Sequence, residues 1–207
     1  VKAQQDSVVI DSIVKRLKVL INEYNKEVLM IDTSAFFPEG YGFEDQNLQI
    51  AASMGACNEI IRYYAAGADV NTFVGNIATP LHYAVSSGSK MAVEILLLLG
   101  ALPDKPDQYG YTPLIAAVMA DNLDIAELLI RFGASISKTD RNGSSPLHHA
   151  AAPGFFYTTD MLLYYDAPVE KYDKEGNTPL MLGVCFSHYD IADILLRAGA
   201  DPNTHDR

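Results

Sequence analysis

The side chains best equipped for chemistry are a serine pair, Ser144-Ser145, and the adjacent histidines His148 and His149, with His188 further along the chain. A hydroxyl beside an imidazole is the minimum for nucleophilic attack assisted by a general base, and neighbouring imidazoles are potential metal ligands. Neither chemistry is supported by the residues around them. Ser145 directly precedes Pro146, which makes it a helix cap rather than a free nucleophile. No Cys or His pair has zinc spacing, and the chain lacks a Gly-x-x-x-x-Gly-Lys phosphate loop, a Gly-x-Ser-x-Gly elbow and a His-Glu-x-x-His helix. The expectation is a protein that is not an enzyme and carries no cofactor and no metal.

The elements that hold these residues are set by a strict period. Pro-Leu recurs at Pro80-Leu81, Pro113-Leu114, Pro146-Leu147 and Pro179-Leu180, each 33 residues after the last. Gly67-Ala68, Gly100-Ala101, Gly133-Ala134, Asp166-Ala167 and Gly199-Ala200 keep the same spacing. Asn47-Leu48 falls in register, so five repeats are expected at about 41–73, 74–106, 107–139, 140–172 and 173–205. In each unit, Thr or Ser before Pro starts a short apolar helix. A second helix follows, with apolar positions every three or four residues, as in 91–99, 123–132 and 189–197. Glycine stops it with a left-handed cap, for which Asp166 is a tolerable substitute. Polar runs such as Asp140-Arg141-Asn142-Gly143 and Asp173-Lys174-Glu175-Gly176 read as hairpin tips.

Thr79-Pro80-Leu81-His82-Tyr83-Ala84 and Ser145-Pro146-Leu147-His148-His149-Ala150 carry the signature hexapeptide that identifies similarity to the ankyrin-repeat family, the second with Ser for Thr. Gly67-Ala68-Asp69-Val70-Asn71 and Gly199-Ala200-Asp201-Pro202-Asn203 resemble the family's repeat ending, and the likeness spans about 41–205. Gln49, Ile115 and Met181 depart from it at the signature His, and Ile77 replaces a usual turn glycine. The resemblance implies a predominantly all-α solenoid of helix-turn-helix units joined by β-hairpin loops. It also implies that His82 and His148 hydrogen-bond the hairpin backbone, and that partners bind a concave face made by hairpin tips and the exposed side of each first helix. On this chain that surface comprises Asn76, Ser86 and Ser87, then Gln108, Tyr109, Tyr111 and Met119, then Arg141, Asn142 and Ser144, and finally Lys174, Glu175, Asn177 and Phe186. Tyr109, Tyr111 and Arg141 have hot-spot chemistry, although Tyr111 has the alternative of packing on the next finger. Phe155, Phe156 and Tyr157 suggest a second patch, with Phe156 entering the core and Phe155 and Tyr157 exposed.

Residues 1–40 are read as an N-terminal helix and linker preceding the repeat domain of 41–207. Ile10, Val14, Leu17, Ile21, Tyr24, Val28 and Ile31 draw one apolar stripe along a helix of about 6–31. Such a helix caps the first repeat or, alternatively, pairs two chains. The last repeat looks internal, and with a start at Val1 this suggests a longer natural protein or an edge covered by a partner. A formal charge of −11 opposes nucleic-acid binding, and the longest aliphatic run, 95–99, is too short to span a membrane. Cys57 and Cys185 lie outside any redox spacing, so buried, reduced thiols in a cytoplasmic or nuclear protein are expected. The functional expectation is an adaptor that binds a protein partner. The alternative is a targeting module of a larger enzyme, channel or secreted effector.

Overall fold

The computed structural model describes residues 46–73 and 77–204. The helix expected at 6–31, the linker after it and Asn76 lie outside the described residues. Ten helices are formed within them: α1 (Gln46–Ser53), α2 (Cys57–Ala65), α3 (Pro80–Ser86), α4 (Lys90–Leu98), α5 (Pro113–Met119), α6 (Leu123–Arg131), α7 (Pro146–Ala151), α8 (Phe156–Tyr164), α9 (Pro179–Cys185) and α10 (Tyr189–Arg197). Consecutive helices pair, and the pairs stack so that α1, α3, α5, α7 and α9 form an inner row and α2, α4, α6, α8 and α10 an outer one. The chain is a helical solenoid.

The Thr-Pro and Ser-Pro starts behave as the spacing predicts. Thr79, Thr112, Ser145 and Thr178 are extended N-caps, each followed by proline at the first helical position. There the missing N–H costs no hydrogen bond and the fixed φ suits the helix. Leucines one residue later, Leu81, Leu114, Leu147 and Leu180, are buried, as are Leu96, Leu129, Leu162 and Leu195 on the outer row. Each contributes about 1.5–3 kcal/mol by leaving water, so truncating one to Ala removes much of the local stability. At the end of α8, Asp166 adopts φ +62°, the left-handed cap that glycines supply in the other repeats. Nothing crowds the Cβ position at Gly67, Gly100, Gly133 or Gly199, so backbone conformation rather than space selects glycine.

Behind the hairpins a second period stitches repeats together. Asn71 Oδ1 accepts from the Leu102 N–H at 2.8 Å, Asp104 Oδ1 from Ser135 at 2.8 Å, and Glu170 Oε1 from Asp201 at 2.7 Å. At the remaining equivalent junction the acceptor position holds Ser137 and the donor position holds Pro168, which has no N–H. Lysines reinforce the seam: Lys105 donates to the Asn71 carbonyl, Lys138 to that of Asp104 and Lys171 to that of Ser137.

Two expectations are corrected. Cys185 is exposed, because its place at the end of α9 matches Met119 at the end of α5, which is also exposed, while Cys57 is half-buried; both are free thiols. Phe155 is half-buried, because it caps α8 instead of projecting from the turn, and the apolar exposure falls on Tyr157 alone. Phe156 packs against the core as expected.

Helix α8 carries the one buried hydroxyl pair of the outer row. Thr158 and Thr159 stand where α4 has Ala92-Val93, α6 has Ile125-Ala126 and α10 has Ile191-Ala192. Thr158 Oγ1 donates to Asp121 Oδ1 at 2.6 Å, whereas Thr159 Oγ1 is buried without a partner. A buried hydroxyl that makes no bond loses its hydration without return. Thr159→Val is therefore expected to stabilise the chain by about 1 kcal/mol and Thr158→Val to destabilise it by a similar amount, read from shifts in the urea unfolding midpoint.

Candidate functional site

Three hairpin fingers share one construction. Each begins with an aspartate whose Oδ1 accepts two backbone N–H groups: Tyr109 and Tyr111 bond to Asp107, Asn142 and Ser144 to Asp140, and Glu175 and Asn177 to Asp173. A backbone bond then closes the turn, from Asp107 N to Tyr111 O at 2.8 Å, Asp140 N to Ser144 O at 3.0 Å and Asp173 N to Asn177 O at 3.0 Å. The expected β-hairpin loops are thus tight turns without regular strands among the described residues, because each carboxylate takes over bonds that a longer ladder would supply. Partial burial works to raise the Asp173 pKa, but the N–H groups of Asn177 and Glu175 outweigh it and hold the carboxyl below its ordinary value.

The fingers lean on one another. Gln108 N donates to Ile77 O and Lys174 N to Asn142 O, both at 2.8 Å. Gly110, at φ +87°, lies so close to the next finger that a Cβ there would meet Arg141 N at 2.7 Å. Glycine is needed here for both conformation and contact. Ile77, which replaces the equivalent glycine, does not adopt a positive φ.

The signature histidines tie helices to fingers. Thr79 N donates to His82 Nδ1 at 3.3 Å, and His82 Nε2 lies 3.0 Å from the Tyr111 carbonyl. Ser145 N donates to His148 Nδ1 at 3.1 Å, and His148 Nε2 lies 3.1 Å from the Asn177 carbonyl. A backbone N–H only donates and a carbonyl only accepts, so both rings are neutral with the proton on Nε2. The Ser145 Oγ to His148 Nδ1 distance of 2.8 Å has the look of a nucleophile and base, but both residues are 1% exposed and the imidazole is committed to the backbone on both sides. Met181 repeats the arrangement weakly, its sulfur accepting from Thr178 N at 3.4 Å.

Of the residues expected on the concave surface, Tyr109, Met119, Arg141, Asn142, Lys174, Glu175 and Phe186 are exposed, with Tyr109 at 58%. Gln108, Tyr111, Ser144 and Asn177 are half-buried. Tyr111 makes an edge contact with His149 of the next repeat, centroids 5.8 Å apart, and Tyr109 lies 6.1 Å from Tyr111. His149 in turn places Nε2 3.0 Å from the buried Asp140 carboxylate. The row Tyr109, Tyr111, His149 is a packed aromatic platform crossing from one finger to the next helix. His149 is the member that sequence reasoning missed, since beside His148 it reads only as a metal ligand or base, and neither chemistry has support. Its placement one residue after the signature histidine, about 100° further round α7, marked a different face of the helix without marking Tyr111 as its neighbour. Among the described residues no group of three or more His, Cys, Asp and Glu side chains is arranged to hold a metal.

The family model for ankyrin repeats matches residues 48–140 and 129–206. The chain belongs to the ankyrin-repeat family. Ankyrin repeats are generally protein-interaction modules, so the coarse function of this ankyrin-repeat chain is to bind protein. A search of curated proteins finds no match. Among the described residues no helix is long and apolar enough to cross a membrane.

Burial is the main cause that lowers the pKa of both His82 and His148 below the ordinary histidine value, outweighing the carbonyl bonds that raise it. The unfolded chain, with histidines near 6.5, binds more protons than the folded one below that pH. Stability from these rings is complete above about pH 6.5 and falls as the pH drops through the folded values. The urea midpoint of the ankyrin-repeat chain is expected to decline between pH 7 and 5. A His82→Ile/His148→Ile variant, carrying the residue that Ile115 supplies naturally in the same position, should lose part of that decline.

Proposed function

We propose that this ankyrin-repeat protein is an adaptor whose concave face, centred on the middle fingers, binds a protein partner. The observation that carries this reading is the platform of Tyr109, Tyr111 and His149, an aromatic row held in place by packing and rimmed by exposed Arg141, Asn142 and Met119. Rigid aromatic side chains with a polar end provide contact area at small entropic cost, and a platform fixed before binding reduces the cost further. Glu175, Lys174 and Phe186 extend the surface toward α9, and half-buried Gln108 joins it on the finger of Tyr109, its N–H bonded to the Ile77 carbonyl. Tyr157, exposed at 77% on α8, and the half-buried Phe155 make a secondary patch. Two unpaired thiols are in keeping with a reducing, intracellular compartment.

A pull-down from lysate with the intact chain and with a Tyr109→Ala/Tyr111→Ala/Arg141→Ala variant of unchanged circular dichroism tests the site. Retention of the partner should fall at least tenfold in the variant, in line with the loss of two or three hot-spot residues. Equal retention would move the interface to the Tyr157 patch or to residues 6–31.

A further inference from the structure

Cations are scarce in this chain, 15 against 26 acidic residues, and the fold uses most of those described for its own assembly. Arg62 pairs with Glu59, Lys90 with Asp124, Lys138 with Asp104 and Arg197 with Asp193. Lys105 and Lys171 are held on carbonyls of the preceding repeat, and Arg131 closes the last turn of α6, where a positive charge complements the helix dipole. Arg141 and Lys174 serve none of these purposes. They stand exposed on consecutive fingers, 33 residues apart, and no carboxylate of the described chain pairs with either.

The nearby acids do not neutralise them. Asp107, Asp140 and Asp173 spend Oδ1 on finger N–H groups. The second oxygen of Asp140 meets His149, and that of Asp173 meets the Asn177 side-chain amide at 3.2 Å. Glu175 is the exposed acid on these tips, and its Oε2 lies 3.4 Å from the same amide. The Arg141 stem lies against the preceding finger, with Cγ 2.8 Å from where a Cβ would stand on Gly110, the residue between Tyr109 and Tyr111.

We infer that the segment bound by the concave face is an acidic stretch of protein. Its carboxylates meet Arg141 and Lys174, and a neighbouring apolar or aromatic side chain rests on Tyr109 and Met119. This rests on the concave-face reading and assigns the chemistry of its partner. Arg141 offers a planar fork that suits a carboxylate, and pairing over a few ångströms is screened less than the field of the whole chain, which fades beyond about 8–10 Å at physiological salt. With a formal charge of −11, that longer-range field disfavours a polyanion such as nucleic acid and leaves a short acidic segment as the anionic ligand that fits.

The experiment is selection of a random peptide display library on the intact protein, on Arg141→Glu/Lys174→Glu, on Tyr109→Ala/Tyr111→Ala, and on Lys90→Glu/Arg197→Glu. The last changes the net charge by the same amount as the first but on the outer helices. Each variant is checked by circular dichroism, with Arg141→Ala/Lys174→Ala standing in if charge reversal disturbs the fold. The intact protein should enrich peptides rich in Asp and Glu, against the preference of an acidic surface for basic ones. The selected peptides should bind the finger charge-reversal variant about tenfold more weakly, a loss consistent with two partly exposed ion pairs, and the outer-helix variant almost unchanged. Peptides that depend on the tyrosines yet show no acidic enrichment, or that ignore Arg141 and Lys174, would overturn the acidic partner and leave the concave site standing. Peptides indifferent to both finger variants, or no enrichment on the intact protein, would overturn both.

Discussion

A helix pair of this length has no interior of its own. Leu81, Leu114 and Leu147 are buried between the rows above and below them, as are Leu96, Leu129 and Leu162, while Leu180 and Leu195 of the last described pair are covered from the preceding pair and from their own. Every other feature follows from keeping successive pairs in the same orientation. Proline after Thr or Ser fixes where the inner helix begins, and a left-handed residue fixes where the outer helix ends. The chain then returns through a finger whose position is dictated by its neighbour.

Because the fingers bond to one another and to the histidines beneath them, the side chains at their tips are released from structural duty. Polar demand is met one layer down, by Asp107, Asp140 and Asp173 on the turns and by His82 and His148 on the carbonyls. The tips can then differ freely, and the surface they form is tyrosine on one finger and cationic on the next two. A rigid frame with variable tips is a binding surface whose specificity changes without altering its fold.

The repeat was legible because its markers are backbone requirements. Proline is costless at the first helical position and disfavoured further in, and glycine or Asp suits φ near +60 to +100°, so Pro80 and its counterparts and Asp166 announced the helices. Side-chain partnerships across repeats were less visible. Nothing local to His149 says that it will face Tyr111 38 residues earlier, and Phe155 looked exposed until the start of α8 placed it at a cap. Cys185 was misjudged for the same reason, since an apolar-looking helix end can face the groove as well as the core. The unpaired Thr159 hydroxyl is a compromise that no periodicity reveals.

The junction between Ser137 and Pro168 bears on modularity. Elsewhere a side-chain acceptor in one unit meets a backbone N–H in the next, but here both halves of the bond are absent together. Moving the unit that contains Pro168 to follow the one that contains Asp104 would strand that carboxylate opposite a residue that cannot donate. The units share a shape but are not interchangeable, and the order in which they are strung is written into which neighbour each can satisfy.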